Sequence, residues 1–316
     1  MLIDEKMVEI YKPCTSYNIR EYGVLDGVSV CYNDIYTNKT VNKKERNDES
    51  LVFEINYCKE GRFECTLKDG NTTYMEPGDF SINPKKNSPN ISVFPINYYC
   101  GITIYIDIAK IDEDLLFIQK LLGINFLDIL TELCTDDKLF IKRATPEIQH
   151  IFQEIYYVPE DMLSAYMVIK IQELFLYLNT VKNNMLFDIT KEYFNLSNII
   201  AVKNIHDYII KNIHNSYTHE QLATLFSINQ TYMKKCYKSV YGETIYTTIK
   251  KQKLGRAAML LETTSISIID IALEVGYSNH SQFSTAFKKM YNISPIRYRK
   301  KCRIDKKKHI DKELSI

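Results

Sequence analysis

The spacing of apolar residues changes once along the chain, from a strand-like period to a helix-like one. Between residues 27 and 107, short runs rich in β-branched and aromatic residues alternate with turn residues, which predicts antiparallel strands. The sequence Glu76-Pro77-Gly78-Asp79 suits a type II turn, because Pro fixes φ and Gly accepts a positive φ. Many short strands at this spacing favour a small barrel or a sandwich of two sheets.

From about residue 110 onward the apolar period is helical. The predicted helices of this region cover residues 112–122, 126–134, 146–157 and 160–181. The last helix has two interpretations: it packs against the strands, or, since few of its residues are charged, it joins two copies of the chain in a dimer. Residues 182–198 are mixed and polar and predict a linker between domains.

Two segments near the C-terminus share one frame. They are LATLFSINQTYMKKCYKSVYG at 222–242 and IALEVGYSNHSQFSTAFKKMYN at 271–292. The first matching positions are 49 residues apart and the last are 50 apart, so the extra residue lies in a turn between paired helices. Each segment predicts a helix, a tight turn and a second helix, and a connecting helix is predicted over about 244–261.

The ends and faces of these helices follow from local residue types. Thr218 and Gln221 fit a capping box, Asn229 suits a helix N-cap, and Gly242 and Asn292 suit left-handed C-caps. The predicted inward residues are Leu222, Ala223, Phe226, Met233, Tyr237 and Val240 in the first unit, and Ala272, Val275, Gly276, Phe283 and Phe287 in the second. The predicted outward residues are Gln230, Thr231, Lys234, Lys235, Lys238, His280, Ser281, Ser284, Thr285 and Lys288.

A helix-turn-helix places its second helix in the major groove of DNA, where polar and basic side chains read base edges. Two such helices on a rigid connector can enter successive grooves, about 34 Å apart. The alternative is a helical bundle whose lysines are merely solvated. The register of the two segments favours the DNA-binding interpretation.

The charge distribution points to the same partner. The whole chain has a formal net charge of +1, but residues 1–196 contain 20 Lys and Arg against 30 Asp and Glu. Residues 197–316 contain 20 Lys and Arg against 9 Asp and Glu, which gives this part a charge of +11. A basic half beside an acidic one indicates a polyanionic partner for the C-terminal part.

Residues 202–299 resemble the DNA-binding domain of AraC/XylS-type transcriptional regulators. The resemblance rests on LAxxF, YKxxYG, the connector KLGRAAMLL and the run IAxxVGYSNxSxFSxAFKKMYxxSPxxYR. Three positions depart from the family pattern: Asn292 stands where Gly is usual, Lys253 where Arg is common, and Ile245 where the first unit often has Pro. The resemblance implies a cupin-like N-terminal module that binds an effector and forms a dimer, and a contact with RNA polymerase.

The resemblance also implies roles for individual residues. The base-reading residues would be Thr231, Lys234 and Lys235 in the first unit and His280, Ser281, Ser284 and Thr285 in the second. Lys238, Lys288, Arg297 and Arg299 would contact phosphates, which fix register without reading sequence. Because the second reading helix is poor in charge, we expect the first to dominate affinity.

An enzyme in the strand region is disfavoured by its residues. Metal-dependent cupins need a histidine cluster, and none of the six histidines falls within residues 27–107. The GxSxG, GxxxxGK[ST] and HExxH motifs are absent from the sequence, and Cys58 and Cys65 are expected to be structural thiols. The candidate effector-pocket residues, for which ordinary sheet packing is the alternative, are Tyr32, Tyr36, Tyr57, Tyr74, Tyr98, Tyr99 and Tyr105.

The sequence thus predicts a multidomain α+β protein. Its domains are a cupin-like β-barrel with helices at 1–181, the linker, an all-α double helix-turn-helix domain at 199–300 and a basic tail at 301–316. The predicted function is a homodimeric, cytoplasmic regulator, an activator that binds promoter or operator double-stranded DNA and responds to an aromatic or siderophore-like small molecule. No cofactor, metal or membrane span is predicted, and the eight cysteines, which form no CxxC pair, favour reduced thiols. The alternative is a ligand-independent or architectural DNA-binding regulator whose barrel serves only for assembly.

Overall fold

The protein folds as two compact units, Met1–Leu196 and Ser197–Ile316. The structure is a computed structural model that describes residues 16–41, 51–67, 69–89, 91–135, 138–183 and 191–313. The first unit contains all the described strands together with four α-helices, and the second is helical. This arrangement confirms the predicted order of a β-rich N-terminal region and a helical C-terminal region.

The strands of the N-terminal unit pair in antiparallel fashion throughout the described residues. Their bounds are β1 Ser16–Leu25, β2 Val28–Tyr36, β3 Lys39–Val41, β4 Val52–Gly61, β5 Phe63–Thr66, β6 Thr72–Met75, β7 Asp79–Pro84, β8 Ile91–Val93, β9 Tyr99–Asp107 and β10 Phe140–Arg143. Six of them form one sheet in the order β1-β2-β9-β4-β7-β10, while β3 pairs with β8 and β5 with β6. Since β1 and β10 are edges of this sheet, the described strands form an open sheet and do not close into the predicted cupin-like barrel.

Four helices of this unit pack beside the sheet. They are α1 Glu113–Leu122, α2 Phe126–Leu133, α3 Pro146–Tyr157 and α4 Leu163–Asn183. All four were predicted from the apolar period to within a few residues. Local chemistry explains their starts: the Asp112 carboxylate accepts a hydrogen bond from the Leu115 N–H at 2.8 Å, and Pro146 occupies the first turn of α3.

One face of the sheet forms the main apolar core with these helices. The residues Ile102, Ile104 and Ile106, which alternate along β9, are fully buried in this cluster. The Phe126 and Phe175 rings stack with centroids 3.5 Å apart, which ties α2 to α4. Helix α4 therefore does pack within the N-terminal unit.

The opposite side of α4 is exposed at three apolar positions seven residues apart. These are Met162, just before the helix, Ile169 and Leu176. The second interpretation of this helix, a contact between two copies of the chain, stays a prediction.

The other face of the sheet is polar. The Asn33 amide donates to the Thr103 hydroxyl at 3.0 Å, and that hydroxyl donates to the Asn56 carbonyl oxygen at 2.8 Å. Glu54 lies on the same face of β4, and its carboxylate accepts a hydrogen bond from Ser88 at 2.5 Å. Burial raises the pKa of Glu54 above its ordinary value. Strand alternation thus gives the sheet one apolar and one polar, half-buried face.

Buried ion pairs hold the predicted turn between β6 and β7. Gly78 has a φ of +88°, and the Asp79 N–H donates to the Glu76 carbonyl at 2.9 Å, as a type II turn requires. The Asp79 side chain is fully buried, forms an ion pair with Lys191, and lies 3.3 Å from the Arg143 guanidinium. The positive charges of Lys191 and Arg143 offset part of the cost of burying the Asp79 carboxylate, although burial still raises the pKa of Asp79.

The predicted linker 182–198 is described only in part, because residues 184–190 lie outside the described residues. Beyond that gap, Lys191 is held by Asp79, and Phe194 exchanges backbone hydrogen bonds of 2.9 and 2.8 Å with Thr72. Residues 191–194 are therefore attached to the N-terminal unit. The domain boundaries themselves stay a prediction.

The C-terminal unit consists of seven helices in the described part of the chain. They are α5 Leu196–Lys211, α6 His219–Leu225, α7 Gln230–Tyr241, α8 Ile245–Thr263, α9 Ile268–Glu274, α10 His280–Tyr291 and α11 Pro295–Glu313. The connecting helix predicted over about 244–261 is α8. The residues predicted as a basic tail begin within α11.

Three further observations concern a membrane-spanning helix, a metal site and the thiols of the strand region. Among the described residues, no helix is long and apolar enough to cross a membrane, and no group of three or more His, Cys, Asp or Glu is placed to hold a metal ion. Cys58 and Cys65 are buried, and burial raises the pKa of the Cys65 thiol to about 12. Such thiols stay protonated, which fits their predicted structural role.

Candidate nucleic-acid interface

The first helix-turn-helix unit consists of α6 and α7. The Thr218 hydroxyl accepts from the Gln221 N–H at 3.1 Å, and the Gln221 side chain accepts from the Thr218 N–H at 2.9 Å, so the predicted capping box is present. The Asn229 side chain then accepts hydrogen bonds from two backbone N–H groups at the start of α7, at 3.0 and 3.1 Å. Gly242, with a φ of +77°, ends α7 as predicted.

The second unit, α9 and α10, repeats this arrangement. Ser267 caps α9, and Asn279 caps α10 with hydrogen bonds of 2.8 and 3.2 Å from two backbone N–H groups. Asn292 ends α10 with a φ of +61°, the left-handed conformation in which the family usually has Gly. Asn is the non-glycine residue that tolerates this region best, so the departure from the family pattern keeps the cap.

The turns explain the spacing of the repeat. The caps Thr218 and Ser267 are 49 residues apart, whereas Asn229 and Asn279 are 50 apart. The extra residue therefore lies in the turn, as predicted. Both turns pass through the left-handed region, at Ser227 with φ +51° in the first unit and at Gly276 with φ +77° in the second.

Buried apolar side chains anchor the second helix of each unit, α7 and α10, to the rest of the protein. In α7, Met233, Tyr237 and Val240 are fully buried, and in α10 Phe283 and Phe287 are fully buried. These inward residues were all predicted. Burying such large side chains stabilises the unit and leaves the opposite faces of α7 and α10 available to a partner.

The predicted base-reading residues lie on those opposite faces. Exposed side chains on α7 include Thr231, Lys234 and Lys235, and on α10 His280, Ser281 and Thr285 are exposed. Ser284 is half-buried, and its hydroxyl lies 3.5 Å from Nε2 of His280. Each set therefore shares one helix face; their role as base readers stays a proposal.

The four residues predicted to contact phosphates differ in their surroundings. Lys238, Lys288 and Arg297 are exposed. Arg299 is half-buried, and its guanidinium donates to the Ile266 carbonyl at 2.7 Å. Burial lowers the pKa of Arg299, which nonetheless keeps its charge. Arg299 thus holds the loop before α9 within the protein.

Sequence reasoning missed a contact between the connecting helix α8 and the turn of the second helix-turn-helix unit. Lys253, on the connecting helix α8, is buried, and its ammonium donates to the Gly276 carbonyl at 3.2 Å. A Cβ placed on Gly276 would lie 2.5 Å from the His214 carbonyl oxygen and 2.7 Å from the Lys253 ammonium. The loop after α5, the connector and the second turn therefore meet at a point where only Gly fits.

His206 is a second residue that the sequence did not single out. Its Nδ1 lies 2.8 Å from the Tyr237 hydroxyl, and its ring stacks on Tyr241 at 4.0 Å. Burial lowers the pKa of His206 below its ordinary value, which favours the neutral ring. This contact fixes α5 to the buried side of α7. A lone His in an apolar helix carries no local signal of such a role.

The tyrosines predicted for an effector pocket do not gather at one place. Tyr32 and Tyr57 belong to the core shared with the helices, where the Tyr32 hydroxyl donates to the Ile155 carbonyl at 2.7 Å and Tyr57 stacks on Phe152. Tyr99 belongs to a separate apolar cluster. These three side chains are used in packing.

The remaining tyrosines are also distributed. Tyr74 is buried and donates to Glu64, whereas Tyr36 and Tyr98 pack against each other with centroids 5.1 Å apart. Tyr105 lies on the polar face of the sheet beside Lys85. Among the seven tyrosines predicted for an effector pocket, Tyr105 therefore lies beside the polar residues of the sheet.

Comparison with known proteins gives matches for the C-terminal part of the chain. A family model described as a helix-turn-helix domain matches residues 222–301. An uncharacterized HTH-type transcriptional regulator of Haemophilus influenzae is 30% identical over 140 residues, which are 44% of this chain and 44% of that protein. The F1 operon positive regulatory protein of Yersinia pestis is 30% identical over 101 residues, 32% of this chain and 34% of that protein. The chain thus spans less than half the length of these curated relatives.

A solved structure is similar to about a third of the chain. The C-terminal domain of AraT, a response regulator from Geobacillus stearothermophilus, is 32% identical and has a TM-score of 0.31. The match covers 32% of this chain and 84% of that chain.

We expect the substitution Gly276→Ala to destabilise the C-terminal unit by about 2–4 kcal/mol. The new Cβ adds strain at positive φ, about 1–2 kcal/mol, to a backbone contact that cannot relax by rotating a side chain. Denaturant unfolding measures the effect. Gly70→Ala, measured on the unfolding of the N-terminal unit, controls for strain at positive φ alone, because Gly70 has a φ of +82° and open space around a new Cβ. Equal losses in the two variants would contradict the close contact at Gly276.

We expect the stability of the C-terminal unit to fall as pH falls below about 6.5. Since the folded state lowers the pKa of His206, the unfolded state binds the proton more readily, so protonation favours unfolding. Unfolding free energies between about pH 7.5 and 5.5 test this. The variant His206→Gln, which does not titrate, reduces the slope; the remainder comes from His219, whose pKa burial also lowers. An unchanged slope in His206→Gln would show that His206 is not the titrating group.

Proposed function

Residues 222–301 form a helix-turn-helix domain of the AraC/XylS type, and on this premise we propose that the chain is a sequence-specific DNA-binding transcriptional regulator. The observation that carries the proposal is the pair of capped helices α7 and α10. Each is anchored by buried aromatic residues and exposes a polar or basic face. They belong to the part of the chain with a charge of +11.

The two helices take different parts in binding. Helix α7 presents Lys234 and Lys235 to DNA, and these lysines supply both base contacts and favourable electrostatic energy. Helix α10 presents His280, Ser281 and Thr285, which form hydrogen bonds without a fixed charge. Affinity therefore depends mainly on α7, whereas α10 contributes discrimination between sequences.

Phosphate contacts come from the exposed cations. Lys238 lies near the end of α7, Lys288 near the end of α10 and Arg297 at the start of α11, and all three are exposed. Arg299 has a second function, because its bond to the Ile266 carbonyl orients the loop that leads into α9. Its loss would affect DNA binding through that loop.

The finer parts of the proposal concern regulation. Activation, a homodimer and a contact with RNA polymerase are supported by the family resemblance, and the name of the Yersinia pestis relative, a positive regulatory protein, agrees with activation. An aromatic or siderophore-like effector would bind the polar face of the sheet, where Asn33, Asn56, Glu54 and Tyr105 offer donors and acceptors.

A ligand-independent regulator is the second candidate. It is favoured by the placement of Tyr32, Tyr57 and Tyr99, because these three rings are used in packing and leave fewer aromatic groups for a ligand. In that case the N-terminal unit serves for assembly alone.

We expect Lys235→Ala to weaken binding to the selected operator by about 1–3 kcal/mol and to reduce the slope of log affinity against log salt by about one. We expect Thr285→Ala to cost less, about 1 kcal/mol. An operator is first selected from random DNA with the full chain, and fluorescence anisotropy then gives Kd at several salt concentrations.

Lys251→Ala is the control for this experiment. It removes an exposed positive charge on the connecting helix α8, where Lys251 forms an ion pair with Glu243. Binding of this variant should be unchanged. If Lys235→Ala binds normally and Thr285→Ala does not bind, the roles of the two helices are reversed. If no sequence is enriched from random DNA, the proposal of sequence-specific binding is wrong.

Catechol or a catecholate siderophore should raise the melting temperature of the full chain if the polar sheet face binds an aromatic effector. Ligand at about 100 times its Kd adds about 2.7 kcal/mol, and each kcal/mol corresponds to about 2–4 °C for a unit of this size. Asn56→Leu removes an acceptor from that face and should abolish the shift. An unchanged melting temperature with all such probes favours the ligand-independent candidate.

A further inference from the structure

A groove of about 410 Å³ lies on the helices of the N-terminal unit, apart from both faces of the sheet. Its walls come from the end of α1, the turn and start of α2, and the C-terminal part of α4. The polar lining residues are Gln119, Lys120, Asn125, Asp128, Asn179 and Lys182. A groove of this size is in the range of small-molecule sites.

Gln119 is the unusual member of this lining. Its side chain is only 5% exposed, and its Oε1 accepts a hydrogen bond of 2.8 Å from the Phe126 N–H. That bond fixes the orientation of the amide, because Oε1 must face the backbone donor. The amide nitrogen Nε2 then has no hydrogen-bond partner among the described residues. A buried donor without a partner in a groove wall is a group that a bound acceptor satisfies.

Lys120 supplies an exposed positive charge next to Gln119 in the lining. Lys120 and Lys182 carry positive charge, and the side chain of Asp128 is the single acidic group in the lining. Lys182 lies 2.7 Å from Glu132, so the exposed Lys120 is the cation best placed to pair with a ligand. Gln119 and Lys120 are adjacent in sequence at the end of α1, which brings a neutral and a charged donor to the same end of the groove.

The rest of the lining is apolar. Ile124 and Ile129 contribute side chains, and Gly123 leaves open space, since no atom lies within 4 Å of a Cβ placed on it. A ligand that matches this lining combines an acceptor head with a small apolar body. We propose that the groove binds a small organic carboxylate, whose oxygens accept hydrogen bonds from Gln119 Nε2 and pair with Lys120.

The first experiment follows Gln119 itself. Full-length protein labelled with 15N-glutamine is titrated with benzoate, and the side-chain amide resonance of Gln119 is identified by its absence in Gln119→Glu. The expected result is a saturable shift of that resonance, with a Kd of about 1 mM or below. Benzamide, which has the same shape without the charge, should bind about tenfold more weakly. A Gln119 resonance that does not move, or moves equally with both probes, would overturn the proposal.

Variants then test the two donors by ligand-observed saturation transfer. Gln119→Glu keeps an acceptor for the Phe126 N–H but replaces the donor with a second acceptor, so benzoate binding should be lost. Lys120→Gln should weaken binding about tenfold, while Lys39→Gln, at an exposed lysine on β3, should not change it. If Gln119→Glu does not fold, the comparison of the two lysine variants decides. Equal effects of these two variants would show that the groove makes no specific contact with the anion.

Discussion

The close contact at Gly276 is the constraint on which the C-terminal unit depends. There the backbone of the second turn approaches the His214 carbonyl so closely that a Cβ would lie 2.5 Å from it. The Lys253 ammonium donates to the Gly276 carbonyl from the connecting helix, so three parts of the chain meet at one residue. Since α9 and α10 are covalently continuous with this turn, their placement on the connector follows from it. A protein whose two helix-turn-helix units enter neighbouring grooves of DNA needs such a fixed point. A change in the angle between these two units would move one of them out of its groove.

Within each helix-turn-helix unit, the buried side chains and the side chains proposed to contact DNA lie on opposite sides of the same helix. The side chains of Phe283 and Phe287 are fully buried under α10, and Asn279 satisfies two backbone donors at its start. Replacing a buried Phe with Ala costs about 3–5 kcal/mol, whereas exposed polar positions such as Thr285 change stability by about 0.5 kcal/mol or less. The same separation holds in α7, where Tyr237 is buried against His206 while Lys235 is exposed. The residues that stabilise these helices are therefore distinct from those proposed to contact DNA.

The sequence was sufficient where local chemistry decides the structure. The caps at Asn229, Gly242 and Asn292, the turn at Gly78 and the helices of the N-terminal unit all depend on residues close in sequence.

Features that depend on distant partners were missed. Strand β1 is mostly exposed and carries charges, and β10 is only four residues long, so neither shows the usual alternation. Whether a sheet closes depends on which strands form its edges, and the pairing of β10 with β7 lay beyond any local pattern. Arg299 and Lys253 resemble exposed cations in the sequence, but their partners are carbonyl groups 33 and 23 residues away.

The two asparagine caps have a consequence for how this protein can diverge. Each of Asn229 and Asn279 caps its helix with bonds to the main chain alone, so these caps do not depend on the side chains of the outer face. Mutations at that face can accumulate after gene duplication without passing through unfolded intermediates. Because the two helix-turn-helix units share one architecture but carry different outer residues, the outer face of each unit can change separately. The duplicated cap thus allows the two outer faces to evolve in small, independent steps.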